Sequence, residues 1–300
     1  MVVHADTVWK RFGRVAVLQG LSLAVPAGST VALVGANGAG KTTTIRVLMN
    51  LLEPTAGAVT VLGIDSRRLS PRDFVQIGYV SEHQEMPRRM TVAAYIAYLR
   101  PFYPTWDRAL ESEIVSQFRL PPDRRIGDLS HGMRMKMALA CALPFRPTLL
   151  VLDEPLTGLD PLVRDEFIDR LKQQAGETTI LVSSHELTEI EAVTTHVAFL
   201  DRGRVLFQEG LGELTARMRR VRVTVVTGLR PLAHLPDEWL DVRVDGRVVS
   251  FLDTRFSSAA LPARVAAAIG AVERIDAEPV DLRTIYTALA RAVRDESAFT

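Results

Sequence analysis

This chain has little of what would mark a secreted, membrane-spanning or nucleic-acid-coating protein. It has one cysteine, Cys141, in 300 residues, so no intramolecular disulfide framework is available and a reducing cytoplasm is the expected compartment. Cys141 sits in the apolar run Met137 to Leu143, where a thiol is expected to be a buried, inert packing group. No stretch approaches the roughly 18 consecutive apolar residues of a membrane span. The N-terminal segment carries Asp6 and Lys10 where a signal peptide would be apolar. An excess of one charge is missing too: 36 Lys plus Arg stand against 35 Asp plus Glu, which argues against a broad nucleic-acid-binding surface. There is no internal repeat, low-complexity tract, heptad array or basic tract. Apolar residues are plentiful, at 47%. They suffice for a substantial core in one large domain or in a large and a small one.

The most informative stretch is Gly35-Ala36-Asn37-Gly38-Ala39-Gly40-Lys41-Thr42, which has the spacing of a phosphate-binding P-loop. Small residues let backbone N–H groups wrap closely around a polyphosphate. Lys41 adds a point charge for the β/γ-phosphates, and the Thr42 hydroxyl can ligate Mg²⁺. Val31 to Val34 reads as a buried strand before the loop, and Thr42 to Asn50 as a helix whose N-terminus faces the anion.

Residues 1–215 read as alternating strands and helices, an α/β fold with a mostly parallel sheet. Leu149 to Leu152 is a continuous apolar run, as in a central buried strand, and it ends in Asp153 and Glu154. One carboxylate at a strand end can hold Mg²⁺, and its neighbour can orient and deprotonate a water for attack on a γ-phosphate. Asp160-Pro161 reads as a helix start. Thr179 to Val182 reads as a further strand, ending near His185. Between about 84 and 145, helical patterns interrupted by Pro101, Pro104, Pro121 and Pro122 read as an inserted helical subdomain. From 216 to 300 the pattern changes to a small α+β unit. It has a strand at Arg220 to Val226, a hairpin turning at Asp245-Gly246, and helices over Ala259 to Ile269 and Asp281 to Val293. This unit shows no metal-ligand spacing and no paired catalytic acids. Arg202-Gly203-Arg204, just before it, reads as a hairpin turn.

With Leu129-Ser130-His131-Gly132-Met133 opening a helix after the inserted segment, the chain resembles the ATP-binding subunit of ABC transporters, over about residues 1–210. That family's signature is Leu-Ser-Gly-Gly-Gln. The resemblance implies a P-loop ATPase fold in which Gly35 to Thr42, extended by Thr43, is the Walker A loop, and Asp153-Glu154 is Walker B. It implies that Phe12 stacks on adenine, that Gly158-Leu159-Asp160 is the D-loop, and that His185 is the switch histidine near the γ-phosphate. The cofactors implied are ATP and Mg²⁺, with Glu154 as the catalytic base. The partners implied are an integral membrane permease and a second ATPase subunit in a head-to-tail pair. Ser130 and Gly132 would then complete the partner's nucleotide site, and the chain would lie on the cytoplasmic face of the membrane through the permease. Nucleic acid is not expected; non-transport members acting on ribosomes or nucleic acid are the alternative reading.

Three departures stand out. His131 replaces a glycine and Met133 a glutamine of the signature, and Met133 cannot make an amide's polar contacts. At the Q-loop, Gly78-Tyr79-Val80-Ser81 leads to Glu82, with Gln84 two residues on; either could approach the metal. A homodimer and a heterodimer are both compatible with these changes. The aromatic cluster Phe102-Tyr103-Pro104-Thr105-Trp106 reads either as subdomain core or as part of a groove for the permease.

Overall fold

Thr30–Val34 is buried at all five positions, as are Leu149–Asp153 and Thr179–Ser184. Strands this apolar are stable only when both sheet faces are covered. The computed structural model, which describes residues 1–185, 187–226 and 235–297, places them at the centre of a six-stranded sheet. Its order is Arg204–Gly210, His196–Asp201, Thr30–Val34, Thr179–Ser184, Leu149–Asp153, Ile77–Ser81. The four pairings from His196–Asp201 across to Ile77–Ser81 are parallel. Register puts Ser81, Asp153 and Ser183 side by side in one row, and Leu33 lies opposite Ser183. The residues that follow this row leave the carboxyl ends of the strands together, where open α/β sheets bind ligands.

A second, antiparallel sheet was not legible in the sequence. It runs Val15–Val25, Val3–Phe12, Ala56–Val61, Ile64–Asp65. Irregular register between Ala5 and Val8 interrupts the period-two pattern there. One apolar core joins this sheet (Val3, Leu21, Val61), the helix Lys41–Leu48 (Ile45, Leu48) and the parallel sheet (Leu33, Val151, Leu181).

Between Ser81 and Leu149 the chain makes the inserted helices. Each is started by an N-cap side chain that accepts a backbone N–H: Thr91 for Val92–Leu99, Asp107 for Arg108–Gln117 and Ser130 for His131–Ala142. Arg170, on the helix Pro161–Gln174, is buried and ties this insertion to the sheet domain through Glu113 at 2.6 Å and Gln117 at 3.3 Å.

The chain divides into two units, Met1–Gln208 and Glu209–Thr300; the sequence pattern placed the change at 215/216. In the second unit an antiparallel sheet runs Trp239–Asp245, Val248–Asp253, Arg219–Val225, Val272–Pro279. The expected hairpin turns at Asp245-Gly246. Val221, Val223, Trp239 and Phe251 pack with Leu261, Val265 and Ile269 of the helical segment that includes Leu261–Ala268. Trp239 stacks on Phe251 at 3.9 Å between centroids. The last helix, expected over 281–293, spans Leu282–Ser297. Among the described residues of the whole chain, no helix is long and apolar enough to cross a membrane.

Candidate functional site

The P-loop leaves the strand Thr30–Val34 and enters the helix Lys41–Leu48. At Gly35 the backbone passes so close to the Leu200 carbonyl that a Cβ would collide with it. At Gly38 and Gly40, φ of +82° and +111° lies in the left-handed region that glycine adopts without strain. The loop thereby lines a cavity of about 420 Å³ with Asn37, Gly38, Gly40, Lys41, Thr42 and Thr43. Glu82, Glu154 and His185, from the ends of three other strands, face the same cavity. Gly35, Ala36 and Ala39 form its support: the first two present carbonyls to the Lys41 ammonium at 2.7 and 3.2 Å, and Ala39 is buried.

Lys41 is itself buried, and its Nζ also lies 3.0 Å from Glu154 Oε1. The other oxygen, Oε2, accepts from His185 Nδ1 at 2.8 Å and from Thr157 Oγ1 at 3.0 Å. Burial pushes the Glu154 carboxyl upward, but the His185 hydrogen bond, the Lys41 charge and hydrogen bond, and Thr157 outweigh it and hold the pKa below the usual value. Glu154 is therefore ionised, and His185 Nδ1 carries the donated proton. Glu154 also sits at φ 51°, uncommon for a residue with a side chain. Its N–H donates to Ser183 Oγ at 2.9 Å.

Asp153 lies beneath the cavity at 3% exposure. Its Oδ1 accepts from Thr42 Oγ1 at 3.1 Å and Ser183 Oγ at 2.9 Å. Burial raises its pKa despite these two hydroxyls, and the neighbouring Glu154 charge adds to the rise. A buried carboxylate that accepts from two neutral hydroxyls, one of them the Thr42 oxygen, is a hard-oxygen donor set. It suits Mg²⁺, which takes one or two protein oxygens and completes its shell with phosphate and water.

The remaining expected residues lie elsewhere. Ser130 accepts from the Met133 N–H at 3.2 Å, as an N-cap. Gly132 packs under Val163, where a Cβ would lie 3.1 Å from Cγ1. Neither lines the cavity. Phe12 is 47% exposed at the end of its strand, with Lys10 Nζ 5.1 Å from its ring, and is not among the lining residues. Glu82 and Gln84 are separated by the structure: Glu82 faces the P-loop cavity. Gln84 lines a second, aromatic-walled cavity of about 250 Å³ beside Tyr79, Tyr95, Tyr103 and Phe145, and its buried Oε1 has no hydrogen-bond partner among the described residues.

Two contributors were missed in the sequence. Val17, in the antiparallel sheet, forms part of the cavity wall, and nothing distinguishes it from other strand valines. Thr157 supplies a hydroxyl to Glu154; its place three residues on, in a turn, was the available signal. Cys141 is buried, and burial pushes its thiol up to about 12, so it is protonated and unreactive.

A family described as ABC transporter matches residues 18–157. Daunorubicin resistance ATP-binding protein DrrA3 of Streptomyces coeruleorubidus is 32% identical over 301 residues, 98% of this chain and 93% of that protein. The chain belongs to the ABC transporter ATP-binding family. Nod factor export ATP-binding protein I of Neorhizobium galegae is 34% identical over 69% of this chain and 61% of its own length. A solved ATP-binding subunit of an ABC transporter superposes with a TM-score of 0.66 at 27% identity, covering 72% of this chain and 92% of that one. The activity of this family member is ATP hydrolysis coupled to transport, and its fold is the P-loop ATPase cassette.

Proposed function

We propose that this chain energises export through a separately encoded membrane permease, with the residue roles set out below. The observation that carries the roles is the convergence of the P-loop, Glu82, Glu154 and His185 on one cavity. The P-loop amides and Lys41 bind the β- and γ-phosphates of ATP. Thr42 and Asp153 would hold Mg²⁺, which would supply positive charge to offset the negative charge of the phosphates. Glu154, ionised and aimed by His185 and Thr157, takes a proton from the attacking water. The water oxygen bonds to the γ-phosphorus as the bond to the ADP oxygen breaks, giving ADP and phosphate. His185 aims Glu154 through Nδ1, on the wall of the cavity that would take the γ-phosphate.

Ser130 and Gly132 stand outside the chain's own cavity lining, which supports their service to a second subunit's nucleotide at a helix N-terminus. The aromatic-walled cavity at Gln84, with Tyr98 and Phe102 exposed on the inserted helices, supports docking of the permease there. Export, rather than import, is supported by the printed function of the Nod factor relative.

Glu154→Gln is expected to lower turnover about 10²- to 10⁴-fold without weakening ATP binding; unchanged turnover removes the base assignment. Co-purification with an integral membrane protein supports the transport reading, and co-purification with rRNA or DNA overturns it. Robust turnover by the purified chain alone identifies a homodimer.

A further inference from the structure

The signature segment carries a side chain, His131, where the family pattern has none. His131 is the first residue of the helix His131–Ala142. Its ring does not point to the P-loop cavity. Instead Nε2 lies 3.0 Å from the Thr157 carbonyl oxygen. A carbonyl only accepts, so Nε2 carries the proton and donates. The same ring edge covers Gly158, 3.7 Å from where a Cβ would stand. Thr157 in turn donates its hydroxyl to Glu154 Oε2 at 3.0 Å. The loop that follows Glu154 is thus pinned from two sides, by Ser183 at the Glu154 N–H and by His131 at the Thr157 carbonyl.

We propose that His131 is a positioning residue for hydrolysis: its hydrogen bond to Thr157 fixes the loop whose hydroxyl aims the Glu154 carboxylate. The proposal rests on Glu154 being the base. Ser130 and Gly132 flank His131 on the same helix N-terminus. Whatever seats against that terminus therefore bears on Glu154 of the same chain through one side chain. A glycine at 131 could not transmit this.

The test is steady-state ATP hydrolysis by the full-length chain, with melting temperature and nucleotide affinity measured on each variant. His131→Ala is expected to lower kcat about 3- to 10-fold, the worth of one neutral hydrogen bond, leaving KM for ATP and nucleotide affinity as in the parent. If that variant does not fold, His131→Asn takes its place, since its amide ends short of the Thr157 carbonyl. His131→Gln, whose amide N–H falls near the position of Nε2, is expected to restore the parent rate. Thr157→Val removes the hydroxyl and keeps the shape. The double variant His131→Ala/Thr157→Val is expected to be no slower than the slower single, because both act on Glu154 by one route. The proposal is overturned if His131→Gln is as slow as His131→Ala, if the loss lies in KM, or if the two single effects multiply. Failure of the base assignment is read separately, as a Glu154→Gln variant that hydrolyses at the parent rate.

Discussion

The Lys41 ammonium and the proposed base Glu154 are engaged with one another. The ammonium lies 3.0 Å from Glu154 Oε1, with the lysine side chain 5% and the glutamate 15% exposed. Among the described residues, its other acceptors are the Gly35 and Ala36 carbonyls. A γ-phosphate entering the cavity must share or take the ammonium from Glu154, and it brings negative charge towards that carboxylate. Glu154→Gln removes both obstacles and keeps the side-chain volume. A charge-assisted hydrogen bond is worth more than a neutral one, but its replacement by an amide contact returns part of the difference. The net relief is about 1–2 kcal/mol, which is about 5- to 30-fold in affinity. The assay is calorimetric titration of ATP into the parent and the variant, with chelator present so that nothing is hydrolysed. Glu154→Gln should bind ATP more tightly by that factor, and the gain should shrink in a Lys41→Met background, where there is no ammonium to release and only the carboxylate's repulsion of the phosphate is relieved. Equal or weaker binding by Glu154→Gln, or an undiminished gain without the lysine, refutes the competition.

Two more predictions follow from the electrostatics and the second unit's core. The Glu154 pKa is depressed on folding, so its ionised contacts stabilise the protein above the ordinary value of 4.5 and are lost as pH falls below it; melting curves across that range should show a steeper acid loss in the parent than in Glu154→Gln. Trp239 is buried on Phe251, and its Nε1 has no hydrogen-bond partner among the described residues, so scanning calorimetry should find Trp239→Ala about 3–5 kcal/mol less stable and Trp239→Phe far less affected; a Trp239→Phe loss as large as that of Trp239→Ala would refute this.

The nucleotide cavity was largely legible in the sequence because its residues obey local rules. A P-loop must be Gly-rich and must lie between a strand and a helix, and a pair of acids closing an apolar run marks a strand end. Asp153 and His185 could be placed for that reason, before any contact was known. Glu82 and Gln84 could not be separated, since both follow the same strand and only the packing of the inserted helices sends one to the P-loop cavity and the other to an aromatic cavity. The antiparallel sheet was hidden by its own irregular register. Val17 reaches the cavity only because that sheet sits over the loop. The contact of His131 with Thr157 spans 26 positions in the chain, and no periodicity reports such a pairing.

The row formed by Ser81, Asp153 and Ser183 has a consequence for how this protein tolerates changes in length. Adding or deleting one residue in any of these strands would slide a site group by about 3.3 Å and turn it to the other sheet face. The connections carry no such constraint beyond the site residues that open them, as the P-loop, Glu82, Glu154 and His185 do; the longest, from Ser81 to Leu149, already contains three capped helices. Insertions and deletions should therefore be refused within the strands and in the turns that directly follow them, and admitted in the rest of the connections.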